Sequence, residues 1–289
     1  MSAFSRDWLR LRESADLAAR NADLARRFAA ALTRGEAPVR LADLGAGSGA
    51  NARALLPRIG VDQEWHLIDH DRDLIAAQSD EFTIWARRQG YPIRAGGGRI
   101  IMNAGAAQWH LASLPLDLMR EQDAIAALDV DGVTTAALLD LVSLRWIEWL
   151  AALLAQRRAP LLAALTVDGR RLWKPELSED AIVAASFRQH QTRDKGFGPA
   201  LGADAPQALA RALATKDFAV TIATSDWPLG PRDRVLLLQL IADEARAARE
   251  AAPHYAGPIA SWEEQRRDQL SESKLWLTVG HCDMLALPG

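Results

Sequence analysis

Residues 40–50 read Arg-Leu-Ala-Asp-Leu-Gly-Ala-Gly-Ser-Gly-Ala, with Gly45, Gly47 and Gly49 at alternate positions and Asn51 just beyond them. An apolar run that ends in glycines and restarts on a polar residue reads as a buried strand, a sharp turn and a helix. The turn leaves bare backbone N–H groups facing whatever lies above it. About twenty residues later a second apolar run, Trp65-His66-Leu67-Ile68, ends on Asp69. A carboxylate at the tip of a second strand is placed to accept hydrogen bonds from ribose hydroxyls. Glycine turn and ribose acid together outline an adenosine-binding α/β domain. Gly45-x-Gly47-x-x-Ala50 also satisfies the looser dinucleotide pattern.

The stretch Asp43-Leu-Gly45-Ala-Gly47-Ser-Gly49 resembles motif I of class I S-adenosylmethionine (SAM)-dependent methyltransferases, and Ile68-Asp69-His70-Asp71 resembles their second motif. The resemblance covers residues 40–168 well and 204–289 loosely. It implies a Rossmann-like, doubly wound, mostly parallel seven-stranded sheet whose last strand is antiparallel. It implies SAM as cofactor and S-adenosyl-L-homocysteine as product. Asp43 would face the cationic amino group, an arrangement that a pyrophosphate would not favour because like charges repel. Asp43 also reads as a turn or cap acid. Gly45, Gly47 and Gly49 would let the backbone approach the methionine part. Asp69 would take both ribose hydroxyls and His70 would pack on adenine. Asp71 reads as a helix cap. After the third strand the family offers an acid or amide to adenine. With that strand read at 99–103, Gln108 would supply the amide and Trp109 an apolar wall. Thr134, ending the fourth strand, would lie near the methyl group.

Methyl transfer from a sulfonium is an in-line displacement that needs alignment, and needs a base only if the acceptor must lose a proton. His190, His110 and Asp140 are the candidate bases, each also readable as a structural residue; Asp194 is a further carboxylate. Arg188, Arg193 and Lys195 would suit a carboxylate or phosphate on the acceptor, or are a solvated charge run. The chain lacks the Asn-Pro-Pro-Tyr signature of relatives that methylate amino groups on nucleic acids or proteins. The expected activity is transfer of a methyl group to a small, in that case anionic, molecule. Two rival readings are a nicotinamide-dependent oxidoreductase and a non-catalytic SAM-binding protein. The first wants a Tyr-Lys or His pair, and neither Tyr91 nor Tyr255 has a lysine four residues on.

The elements that must position these residues follow from the hydrophobic pattern. Residues 7–33 have helical periodicity and end near Gly35, giving a covering helix whose Arg12, Asp16 and Arg20 are second-rank cofactor candidates. Strands are read at 40–44, 64–69, 99–103, 130–136, 161–167, 218–224 and 274–287. Helices fill the gaps at 51–58, 72–88, 137–157, 206–216 and 231–251, and at 262–271 behind a Ser261/Glu264 capping box. Such alternation implies parallel pairing with right-handed crossovers. The organisation read from this is a covering helix (1–39), a SAM-binding core (40–169), a lid insertion (170–203) and completion of the sheet with added helices (204–289).

Composition excludes several classes. A net charge of −3 with mixed Lys, Arg, Asp and Glu leaves no nucleic-acid footprint. The single cysteine, Cys282, allows no internal disulfide, and no His/Cys/Asp cluster has metal-ligand spacing. The N-terminus lacks the apolar core of a secretion signal, and the longest apolar run, 136–155, is broken by Asp140, Arg145 and Glu148. A soluble, cytoplasmic, bacterial protein is expected, with no membrane partner and an oligomeric state that composition leaves open. Of ten tryptophans, Trp109, Trp173 and Trp227 fall near loops and are candidates to line a pocket.

Overall fold

A computed structural model describes residues 5–32, 38–194 and 196–289; Gly35 and Lys195 lie outside the described residues. The chain opens with α1 (Arg6–Ala19) and α2 (Ala22–Leu32). The expected single helix breaks because Asn21 caps a new one: its Oδ1 accepts from the N–H groups of Asp23 and Leu24 at 3.1 and 3.0 Å. Then come β1 (Val39–Leu44), α3 (Ala50–Ile59), β2 (Gln63–Asp69) and α4 (Arg72–Gln89). A hairpin of β3 (Ile93–Gly96) and β4 (Arg99–Ala104) precedes β5 (Ala107–Pro115), α5 (Gln122–Ala126), β6 (Gly132–Ala136), α6 (Leu144–Arg157) and β7 (Leu161–Lys174). The remainder is α7 (Asp180–Gln191), α8 (Ala205–Ala214), β8 (Phe218–Thr224), β9 (Trp227–Leu229), α9 (Arg234–Ala251), α10 (Ala256–Ser271) and β10 (Trp276–Pro288).

The sheet runs β3-β4-β5-β2-β1-β6-β7-β10-β8, with β9 paired to β10. β5, β2, β1, β6 and β7 pair in parallel, and β10 is antiparallel to both neighbours. Seven of these strands form the Rossmann-like sheet with the antiparallel last strand that the methyltransferase resemblance implies. Strand order reverses between β1 and β6, and at such a switch point ligands bind beyond the carboxyl ends of the strands.

Two apolar layers cover the sheet. Trp146, Leu150 and Leu154 of α6 pack with Leu209 of α8 on one face, while Phe28 of α2, Leu55 of α3 and Phe82 of α4 pack on the other. A third core departs from the expected plan. β7 and β10 continue past the short β6 as a ribbon, in register to Lys174 and Trp276. α7, α9 and α10 pack on it around Trp173, Trp262 and Leu237. The segment read as a lid therefore begins inside a strand, and α10 starts at Ala256 rather than at a Ser261 cap. Ser261 sits within that helix and accepts from Gln265 Nε2 at 3.0 Å.

The most consequential difference is the third strand of the core. Residues 99–103 do form a strand, but it is β4, the returning arm of an antiparallel hairpin; the core strand is β5. Among the described residues no helix is long and apolar enough to cross a membrane.

Candidate active site

The turn after β1 is built as its glycines predict. Gly45, Gly47 and Gly49 have φ of 71°, 52° and 86°, a region that side-chain-bearing residues rarely enter. A cleft opens above it, lined by Gly45, Gly47, Asn51, Asp69 and His70 from the sheet side and by Arg12 and Asp16 of α1 and Arg20 at its C-terminal cap. Three ties hold α1 over the cleft. Arg6 and Arg10 each donate to Glu81 of α4 at 2.7 Å, and Arg53 of α3 donates to Glu13 at 2.8 Å.

Gly49 has a different task from the other two. It does not line the cleft; a Cβ there would come within 2.4 Å of the ring edge of Phe82. Gly49→Ala combines left-handed strain with overpacking, so a loss of about 3 kcal/mol is expected. Thermal unfolding checks this, and ligand affinity below the melting point should hold, because the cleft wall is untouched.

Asp69 is buried at the cleft edge. Its Oδ2 accepts from the N–H of Gly47 at 2.7 Å and its Oδ1 from that of Asp71 at 2.9 Å. The carboxylate thus locks the glycine turn and keeps lone pairs for a ligand. His70 stands beside it, its Nδ1 3.7 Å from Asp69 Oδ1. Asp71 caps α4, accepting from the N–H groups of Asp73 and Leu74.

Asp43 lies beneath the turn, fully buried. Its Oδ1 accepts from Asn51 Nδ2 at 2.7 Å, and the same amide nitrogen donates to Thr134 Oγ1 at 3.1 Å. Thr134 in turn donates to the Leu162 carbonyl at 2.9 Å. Asp43 and Thr134, the cross-strand pair of β1 and β6, therefore support the cleft through Asn51. Two acceptor oxygens of this network, Asp43 Oδ2 and Asn51 Oδ1, are buried and have no donor among the described residues. Burial pushes the Asp43 carboxyl up to about 7, with Asn51 and Arg20 opposing and Asp69 adding to the rise.

That shift has a signed consequence. In the unfolded chain the group ionises near 3.8. Between about pH 4 and pH 7 the native state holds a proton that the unfolded chain has lost, so stability falls as pH rises through this window. The ligand-free protein should lose denaturant resistance from pH 5 to pH 8, and Asp43→Asn should flatten that slope.

Other expected site residues lie elsewhere. Because β5 is the core strand, Gln108, Trp109 and His110 sit at its beginning, in register with the start of β2 and at the opposite end from the cleft. Trp109 is buried against Trp85 and Tyr91, and its Nε1 donates to the Val61 carbonyl. Gln108 and His110 bond to each other on the surface. None of the three can reach a ligand in the cleft. The residues that actually follow the core strand are Leu116, Asp117 and Leu118, and Leu118 lines the cleft.

A second chamber of about 670 Å³ adjoins the cleft and shares Arg12, Ala137 and Leu141 with it. Ala137, which directly follows β6, adopts φ of 50° at this junction. Trp8, Phe187 and Trp227 supply apolar walls. Asp140 and His190 both line the chamber, and His190 Nε2 lies 3.2 Å from Glu250 Oε2. Its arginines are engaged: Arg12 is bidentate to Asp16 at 2.9 and 3.0 Å, Arg171 donates to the buried Glu244 at 2.8 Å, and Arg246 to Asp243 at 2.8 Å. Arg188 and Arg193 line neither hollow; Arg193 donates to the Glu250 carbonyl at 2.9 Å. Of the three tryptophans read as pocket candidates only Trp227 lines one of these hollows. Among the described residues no group of three or more His, Cys, Asp or Glu could hold a metal ion.

No family model matches the chain, and no curated protein matches it. Solved structures do. One is a phosphoethanolamine N-methyltransferase 2 from Haemonchus contortus in complex with S-adenosylhomocysteine, at 11% identity and TM-score 0.44; the match covers 100% of this chain and 59% of that one. Another is a SAM-dependent methyltransferase from Thiobacillus denitrificans, also with S-adenosylhomocysteine, at 14% identity and TM-score 0.44, covering 100% of both chains. A third is a cyclopropane synthase from Mycobacterium tuberculosis, at 12% identity and TM-score 0.45, covering 91% of this chain and 82% of the other. At these scores the likeness assigns neither a ligand nor an activity to this chain.

Proposed function

We propose that this protein moves a methyl group from SAM to a small-molecule acceptor held in the chamber beside the cleft. The observation that carries this reading is Asn51, which lines the cleft with an Oδ1 that has no donor among the described residues and rests on the buried carboxylate of Asp43. A ligand that donates or carries positive charge suits this pair; a diphosphate presses more acceptors against it. The ammonium of the methionine tail is such a donor. Arg20, flanked by Asp283, Asp16 and Asp43, is the cleft cation available to its carboxylate. Asp69 takes the ribose hydroxyls, with His70 and Leu118 as the walls for adenine. Bound there, SAM supplies an activated methyl group. The chain's part is to align cofactor and acceptor and to exclude water.

The same geometry revises the acceptor. With its three arginines each paired to a carboxylate, the chamber offers no free arginine, among the described residues, to a carboxylate or phosphate. Its aromatic walls suit a neutral molecule. α7 and Phe197 beyond it contribute the cover: Phe197 lines the cleft, while Phe187 and His190 line the chamber. The oxidoreductase reading loses its tyrosines, since Tyr91 is packed at the far end of the sheet and Tyr255 is exposed beside α10. Calorimetric titration with SAM, S-adenosylhomocysteine and NADH tests the assignment. Binding of the first two is expected, and binding of NADH without them overturns it.

A further inference from the structure

The chamber holds a histidine that the sequence pattern does not single out. β10 does not pass it evenly: its register with β7 slips between Val279 and His281 and again between Cys282 and Met284. At Gly280 a Cβ would overlap the Asp168 carboxylate and Cβ of Arg170, so a residue without a side chain is required for the two strands to close here. Bulges of this kind re-aim the neighbouring side chain. His281 is then fixed on every side. Its N–H donates to Asp226 Oδ1 at 3.1 Å and its carbonyl accepts from the N–H of Ser225 at 2.9 Å. Its ring rests on Trp227 with centroids 4.8 Å apart.

The ring nitrogens are distinguishable. Nδ1 lies 3.1 Å from the Val279 carbonyl, which can only accept, so Nδ1 carries the proton. Nε2 is left with its lone pair, and among the described residues none bonds to it. The residue is 2% exposed, and it lines the chamber. Burial and the nearby Arg12 and Arg171 outweigh Asp16 and hold the imidazole down to about 4, neutral at physiological pH.

We infer that His281 Nε2 accepts the proton of the methyl acceptor, and that the acceptor is a hydroxyl on an aromatic or otherwise apolar skeleton. This rests on the methyl-transfer reading. Arg12 and Arg171 are each neutralised by a carboxylate and hold no anion, so a neutral hydroxyl, which can donate to Nε2, fits the site. Trp8, Phe187 and Trp227 favour a planar or apolar body. In the step, an oxygen lone pair forms the new O–CH₃ bond as the C–S bond breaks and its electron pair returns to sulfur. The hydroxyl proton passes to Nε2, and the imidazolium releases it to solvent once the ether has left.

The test begins with calorimetry, which must show SAM binding to both wild type and His281→Ala. Labelled methyl transfer from SAM is then measured to a panel of phenols, catechols, apolar alcohols, amines and thiols. Transfer to hydroxyl oxygen is expected. His281→Ala should lower kcat by about 10²–10⁴-fold, with KM for SAM within threefold of wild type. Its rate should climb with pH as the acceptor ionises unaided, whereas the wild-type rate stays flat from pH 6 to pH 8. His281→Gln, which keeps a polar side chain but takes no proton, should behave as His281→Ala. Methylation of amines or thiols, SAM binding with no hydroxyl methylated, or kcat within threefold in His281→Ala each overturns the inference. Failure of wild type to bind SAM overturns the methyl-transfer reading instead.

Discussion

Asp69→Ala should weaken SAM binding at least 100-fold. Each hydrogen bond to a charged acceptor contributes about 1.5–3 kcal/mol, and two ribose hydroxyls converge on this carboxylate in the proposed complex. The substitution also frees the N–H groups of Gly47 and Asp71, so part of the loss comes from a loosened turn. Asp69→Asn separates the two contributions. Its remaining carbonyl can hold one of the two N–H groups, and it should bind with intermediate affinity while melting close to wild type. Calorimetry and thermal unfolding on the three proteins read this out. Wild-type affinity in Asp69→Ala would remove the ribose from this position.

The largest effect on stability is expected where α7 meets α10. Arg266 is fully buried, and its guanidinium pairs with Asp180, donates to the Pro175 carbonyl at 2.6 Å and lies over the rings of Trp173 and Trp262. Asp180 also accepts from Trp262 Nε1 at 2.7 Å and from the N–H of Leu177 at 2.9 Å. Asp180→Ala leaves a buried cation without its counterion and costs about 3 kcal/mol or more. A melting temperature lower by roughly 5–10 °C is expected. Replacing both partners, Asp180→Leu with Arg266→Met, should recover most of it, since no uncompensated charge remains. The pair also bears on function, because it anchors the helix that carries Phe187 and His190 into the chamber. A wall fixed in this way is set by folding.

The core sheet was legible because its signals are local. Alternating glycines force the turn after β1, an acid ends β2, and apolar runs at regular spacing give the parallel strands. The third core strand is not legible, for a physical reason. Arg99–Ala104 and Ala107–Pro115 are both extended and half-apolar, and only the hairpin pairing of the first with Ile93–Gly96 tells an edge addition from a core strand. The expected site roles of Gln108, Trp109 and His110 depend on that assignment and fail with it, since taking the next strand as the core one moves these residues to the other end of the sheet. Asn51 and Thr134 converge on Asp43 from a helix and another strand. Their spacing in sequence carries no trace of this, and Thr134, expected to end its strand beside the methyl group, lies buried in the middle of β6 and lines neither hollow. His281 is invisible for a similar reason: in a strand buried on both faces one histidine looks like any core residue until the Gly280 bulge turns it.

A structure of crystals soaked with S-adenosylhomocysteine is the most direct measurement. The ribose hydroxyls should lie within hydrogen-bonding distance of Asp69, the amino group should lie against Asn51, and the sulfur should point past Ala137 towards His281. A diphosphate-bearing ligand seated on the Gly45–Gly49 turn, or S-adenosylhomocysteine bound away from Asp69, would contradict the account.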